Sequence, residues 1–294
     1  MTVSLVTVSA RGPASRGRVR TILDDVTLDA GEGVHAVLGS PADGTGLLCE
    51  VIAGTAAHRG TRKVLGLAAG GHERIAHVSL DAPLPEALRI DEVCLLAADL
   101  RGEPRVFADE RLAVLDASAL ARRTVKSLSV EERRTVTLAL ALTSKKVDLL
   151  LVEEPLAALA LAPPAKVAEA LRARRGTAIV TTASARDAAL VAGTFGVLAA
   201  GKYRALADLR LVAPSMRIVV RDRAAALIAA LGEEVTRVES RMLASGASVI
   251  HVTGSGDLAR VVTRAVAATD ADVELVEPVA GPLDALRQLP GARA

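Results

Sequence analysis

Aromatic side chains are nearly missing from this chain. Its 294 residues include no Trp, one Tyr and two Phe, yet 51% are hydrophobic. The core must therefore be built from Ala, Val, Leu and Ile, a supply that suits buried parallel strands, which read as aliphatic runs. Cysteine is scarce too. Cys49 and Cys94 stand alone with no metal-ligand spacing, and they read as small buried side chains. No apolar run approaches the ~18 residues that a membrane-spanning helix needs. The start, MTVSLVTVSARG, lacks the apolar centre of a signal peptide, so the expectation is a cytoplasmic chain. The net charge is only +2 with 24% charged residues, which argues against a nucleic-acid binder working through a broad basic surface.

What is present alternates. Val3–Val8, Val26–Leu28, Val34–Leu38, Arg74–Leu80, Val147–Val152 and Thr177–Thr182 read as strands, and Ser9–Arg20 reads as a Gly, Pro, Ser and Arg loop. Helical patterns lie at Ile90–Leu100, Asp109–Leu115, Val130–Leu142 and Pro164–Arg174. This rhythm predicts an α/β domain with a mainly parallel sheet over residues 1–213, carrying a helical subdomain at about 85–145. Near Ala213–Pro214 it changes. Met216–Arg221, Arg223–Leu231, Met242–Ala244, Val249–Thr253, Leu258–Thr269, Val273–Pro278 and Pro282–Leu289 are read as strand, helix, strand, strand, helix, strand and a terminal helix. That is the β-α-β-β-α-β order of a small α+β ferredoxin-like domain, expected over 214–294. No internal repeat is visible.

Strand Val34–Leu38 runs into GSPADGTG and then LLCEVIAG, giving the strand, Gly-rich turn and helix that a phosphate-binding loop requires. Four further segments fall into order with it: ILDDVTLDAGEGVHAVLG before the loop, LSVEERRTVTLALAL at 128–142, VDLLLVEEPLAALAL at 147–161 and AIVTTAS at 178–184. In order and spacing these five resemble the ATP-binding subunits of ABC transporters over about residues 1–210. The ending VELVEPVAGPLDAL is similar to the tail of the drug-export (ABC-2) type. The resemblance implies a P-loop NTPase-like ABC ATPase domain, ATP and Mg²⁺ as ligands, a head-to-tail dimer, and a membrane permease or a second ABC ATPase as partner at the inner face of the membrane.

The resemblance also assigns the site. Gly39, Asp43, Gly44, Thr45, Gly46 and Leu47 fall on the phosphate loop, Ser129, Val130 and Glu131 on the signature motif, Glu153 on the Mg²⁺ carboxylate and Glu154 on the catalytic one. Thr45 stands where the family has Lys, and Gly46 where it has the Mg²⁺-binding hydroxyl. Leu80 stands near the sensor Gln, with Asp81 the nearest polar substitute, and Ala183 stands at the switch His. The Asp expected near Ala160 is missing, and no aromatic lies in Ser9–Arg20 to stack on adenine. Asp43 points either at a bound phosphate, which it would repel, or to solvent. Each hydrogen bond lost to a charged group costs about 1.5–3 kcal/mol, so two such losses weaken nucleotide binding by roughly a hundredfold or more. The loop then serves chiefly to join its strand to its helix. Ser129 with Glu132 reads as a capping box that closes its own helix N-terminus.

Three functions follow from this. The first, favoured, is a pseudo-ATPase subunit with a structural or regulatory role beside a permease or an intact ABC ATPase. The second is an unconventional but active ATP-hydrolysing exporter subunit working through Glu153 and Glu154. The third is an interaction protein that has left transport. His35, His58, His72, His77 and His251 read as ordinary surface or core residues.

Overall fold

The computed structural model describes residues 2–13, 19–68, 72–81, 83–157, 159, 161–206, 215–232, 235–243, 246–254 and 258–279. They form two compact units, Met1–Ala207 and Asp208–Ala294.

In chain order the first unit contains β1 (Val3–Pro13), β2 (Val19–Ala30), β3 (Gly33–Leu38), α1 (Thr45–Ala53), β4 (His58–Val64) and β5 (Ile75–Val78). Three helices follow, α2 (Ile90–Arg101), α3 (Ala108–Ala113) and α4 (Val130–Thr143). The chain then returns through β6 (Leu149–Glu153), α5 (Pro164–Ala173), β7 (Thr177–Thr182), α6 (Ala185–Val191), β8 (Thr194–Ala199) and β9 (Lys202–Leu206). One sheet has the order β5-β6-β7-β3-β8-β9, parallel except for β9. A second, antiparallel sheet has the order β2-β1-β4. Helix α1 packs in one core with both: Leu48, Val51 and Ile52 meet Leu5 and Val8 of β1 and Leu149 and Leu151 of β6. The central strands β6 (LLLVE) and β7 (TAIVTT) are buried at nearly every position, and their residues are aliphatic or β-branched threonine.

Between β5 and β6 the chain is helical. Buried Glu103 ties this region together: it accepts from Ser144 Oγ (2.6 Å), from the Lys146 amide (3.0 Å) and from Arg111 Nη2 (2.9 Å). No described helix is long and apolar enough to cross a membrane.

Two local readings need correction. Ser9–Arg20, read as a loop, is mostly strand: β1 continues to Pro13 and β2 begins at Val19, with Gly12 opposite Arg20 and Pro13 opposite Val19. A cross-strand ladder satisfies the backbone there, and that outweighs the Gly and Pro content. Strands β4 and β9 were not anticipated: both lie at sheet edges, HRGTRKV buries only Arg62 and Val64, and KYRAL buries none of its residues. Strand β8 and helix α6 were also unforeseen.

The second unit contains β10 (Ser215–Val220), α7 (Ala224–Ala230), β11 (Val235–Met242), β12 (Ser248–Gly254), α8 (Leu258–Thr269) and β13 (Val273–Val279). Its sheet is antiparallel throughout in the order β11-β12-β10-β13, the ferredoxin-like arrangement. Ile218, Val220, Leu227, Ile250, Val252 and Val262 form its core. The first hairpin strand lies earlier than Met242–Ala244, ending at Met242. The terminal helix read at Pro282–Leu289 lies outside the described residues.

Candidate nucleotide site

The Gly-rich turn sits at the carboxyl end of β3 and opens α1, as a phosphate loop should. Gly44 makes the junction possible: it is the N-cap of α1 at φ +98°, a left-handed conformation that favours glycine. The rest of the turn has folded onto itself. Pro41–Asp43 is a 3-10 turn, in which the Asp43 and Gly44 amides donate to Ser40 and Pro41 carbonyls (2.9 and 3.1 Å). Asp43 is not directed to solvent, being only 3% exposed. Its Oδ2 accepts from the Ser40 amide (3.1 Å) and hydroxyl (2.5 Å), and its Oδ1 from the Ala200 amide (3.1 Å) in the β8–β9 turn. The Gly39 amide donates to Thr182 O at 3.0 Å. The amides of Gly39, Ser40, Asp43 and Gly44 thus all have partners inside the protein, and Pro41 has no N–H to offer.

The neighbouring positions are filled in the same way. Thr45 is buried against Gly39, where a Cβ would stand 2.8 Å from Thr45 Cγ2 and 2.8 Å from Leu198 O. Leu47 packs against the core cluster. Gly46 faces the end of β6, and a Cβ on it would stand 3.7 Å from Glu153 Oε1. The structure therefore brings Gly46 and Glu153 together, the two positions to which the resemblance assigns a shared cation.

Glu153 and Glu154 are both engaged. Glu153 Oε1 lies 2.9 Å from His77 Nε2 on β5. Glu154 has φ +45°, and its carboxylate accepts from Thr182 Oγ1 (2.7 Å) and from the Ala183 amide (2.8 Å). Glu154 is thus bonded to the backbone at Ala183.

Arg134, 1% exposed, holds these ends in place from α4. Its Nη1 donates to Ser79 O (3.2 Å), and its Nη2 donates to the carbonyls of Glu153 and Glu154, the latter at 2.7 Å. Burial lowers the pKa of this guanidinium. The chain-order reading passed over Arg134, although the spacing 134, 138, 141 on the buried face of α4 was a usable signal. Cys49 and His77 read in the sequence as ordinary buried or surface residues, because what they meet lies far away along the chain.

At the signature-like segment the capping box forms. Ser129 Oγ accepts from the Glu132 amide (3.2 Å), and the Ser129 amide donates to Glu132 Oε2 (2.9 Å). Glu132 also binds Arg123 Nη1 at 2.6 Å. Val130 is 60% exposed and Glu131 is exposed. Ser129→Ala is expected to cost about 1 kcal/mol of stability, read as a lower urea midpoint at unchanged slope. Leu80 and Asp81 lie on the surface after β5. Ala160 lies outside the described residues.

No protein-family model matches the sequence, and no curated protein matches it. Solved structures do. The structure of the ATP-binding subunit of an ABC transporter is 19% identical, covers 71% of this chain and 92% of its own, and has a TM-score of 0.60. An ATP-binding cassette in a dimeric post-hydrolysis state with ADP and phosphate is 17% identical, with coverage of 70% and 99% and a TM-score of 0.61. A protein described as a cobalt-transport ATP-binding protein (cbiO-2) is 18% identical, with coverage of 87% and 93% and a TM-score of 0.60. At these identities what is shared is the architecture: the chain has the fold of ABC transporter ATP-binding subunits.

Proposed function

We propose that this chain is an ABC transporter ATP-binding-subunit-like protein that has become a pseudo-ATPase. Its role is structural or regulatory, beside a membrane permease or an intact ABC ATPase at the inner face of the cell membrane. The observation that carries this reading is Asp43. Its buried carboxylate takes the Ser40 amide and hydroxyl, so the loop already holds an anion of its own. A phosphate loop works by aiming free amides at an incoming anion, and here the amides of Gly39, Ser40, Asp43 and Gly44 are taken up inside the protein. Thr45 brings no cation, and Gly46 no hydroxyl. Residues 39–47 contain neither Lys nor Arg. Glu154 would have to leave Thr182 and the Ala183 amide before it could polarise a water. MgATP hydrolysis depends on positioning and on preorganised positive charge, and the groups present do not fit it.

The partner assignment has separate support. The resemblance puts the permease contact at Ile90–Leu100 and the loop before it, and within that helix Leu95, Leu96 and Leu100 are 38%, 39% and 75% exposed. The drug-export assignment rests on the VELVEPVAGPLDAL ending alone. Pairing follows by analogy with the dimeric cassette, as a homodimer or as a heterodimer in which the partner carries the intact motifs.

Calorimetric titration of the full chain with ATP and Mg²⁺ tests the proposal. The expected result is no binding, or a Kd weaker than about 0.1 mM, which corresponds to roughly −5.5 kcal/mol. Micromolar affinity that disappears in Gly44→Asp or Glu153→Ala would defeat the pseudo-ATPase reading in favour of an active subunit.

A further inference from the structure

The sheet face under α1 is aliphatic until its carboxyl end. Ile75, Leu149, Leu151 and Ile179 line it in alternation, all within one apolar core. Continuing by twos along β5, β6 and β7, the same face reaches His77, Glu153 and Thr181. Directly over this polar patch lies Cys49, one turn into α1 and 0% exposed. The ligand atoms of Cys49, His77 and Glu153 all lie within 4.8 Å of one another. Polar groups are costly at the edge of an aliphatic core unless they are paired or neutralised.

We propose that Cys49, His77 and Glu153 form a site for a borderline-soft divalent cation of the zinc class. The donor set is one thiolate, one imidazole and one carboxylate, each an ordinary zinc ligand, and three protein ligands leave one tetrahedral position for water. Mg²⁺ would be a poor occupant, since it demands octahedral oxygen donors and would find one carboxylate here. Charge also matches: a thiolate and a carboxylate with a dication sum to zero, which suits a site whose side chains are 0% (Cys49), 21% (His77) and 14% (Glu153) exposed. The 2.9 Å His77–Glu153 hydrogen bond is then the cation-free arrangement, with a proton between the two ligands.

On binding, the Cys49 thiol releases its proton to solvent and the proton shared by Nε2 of His77 and Glu153 leaves to solvent while Nδ1 carries the ring proton, so that Nε2 coordinates through its lone pair and Glu153 as the carboxylate. No group changes oxidation state. Burial, with the Glu153 charge second, pushes the Cys49 thiol well above its ordinary pKa. A dication reverses the second of these causes by neutralising Glu153. The Thr181 hydroxyl, which bonds to the sulfur, supports the thiolate from behind.

Titrating the full chain with Co²⁺ alone, without nucleotide, tests this independently of any ATP result. The expected outcome is one Co²⁺ per chain with a near-ultraviolet thiolate-to-cobalt charge-transfer band, displaced by Zn²⁺ and not by an equal concentration of Mg²⁺. Cys49→Ser should abolish the band while Cys94→Ser, elsewhere in the core, retains it. His77→Gln should weaken Co²⁺ binding by at least ~100-fold, above what loss of an outer-shell partner costs. Absence of the band in the natural chain overturns the site, as does a band that survives Cys49→Ser. Should Cys49→Ser not fold, unchanged Co²⁺ affinity in His77→Gln has the same consequence, and the cluster is then a hydrogen-bonded pair beside a bystander thiol.

Discussion

A chain carrying Asp43→Ala, Thr45→Lys and Gly46→Ser together is expected to bind MgATP at least ~100-fold more tightly than the natural chain. Each change removes one obstacle. Without the Asp43 carboxylate, the Ser40 amide and hydroxyl and the Ala200 amide lose their internal acceptor, and the first two become available to a phosphate. Lysine at 45 supplies a point charge in place of a buried threonine whose methyl faces Gly39. Serine at 46 fits without strain, since its Cβ would meet Glu153 Oε1 at 3.7 Å, an ordinary contact. Two charge-assisted interactions of about 1.5–3 kcal/mol each are enough for the stated gain. The same triple change should lower stability by about 1–3 kcal/mol, because the Asp43 hydrogen bonds are lost and the Ala200 amide is left without its acceptor. Calorimetry on the folded variant decides the matter. If its affinity stays at the natural level, occupation of the loop by Asp43 does not govern nucleotide binding.

Arg134→Met should be the most destabilising of the substitutions considered, by about 3–5 kcal/mol out of a domain stability of about 5–15. Methionine fills most of the space of the aliphatic stem but donates nothing. The carbonyls of Ser79, Glu153 and Glu154 would lose a common donor at the junction of β5, β6 and α4. Ser79 follows β5, Glu153 ends β6 and Glu154 comes directly after it. Arg134→Lys keeps the charge and loses the fork, so it should recover only part of the loss. Urea denaturation reads both variants. A midpoint for Arg134→Met within experimental error of the natural chain would mean that water replaces the guanidinium at no cost, and the assignment of Arg134 as the clamp would fall.

Much of the fold was legible in the chain order. Val34–Leu38, Val147–Val152 and Thr177–Thr182 fall on the central strands β3, β6 and β7, which are rich in buried aliphatic and β-branched residues, so their composition carried the signal. The second unit was read as strand, helix, strand, strand, helix, strand, and its sheet has the ferredoxin-like order. Edge strands β4 and β9 were illegible because they bury two residues and none, whereas β5, also an edge, buries Ile75, Ala76 and Val78. The Ser129–Glu132 box was legible because capping is local, reaching only three residues. Arg134 could have been found from its place on the buried stripe of α4, but its three acceptors could not.

What the sequence determined by itself is therefore whatever depends on neighbours along the chain: strand and helix periods, the turn at Gly44, the cap at Ser129, and the residue types Thr45, Gly46 and Ala183 at the positions where the resemblance expects ligands. Only the tertiary structure decided the direction of Asp43, whose carboxylate reaches Ala200 across 157 residues, and the engagement of Glu154 with the Ala183 amide 29 residues on. It alone placed Cys49, which has no ligand spacing in the chain, beside His77 and Glu153. The reason is geometric. In a parallel sheet the strands that meet at the carboxyl edge are separated by whole helices, so the side chains that share a site there are distant in sequence and leave no local pattern.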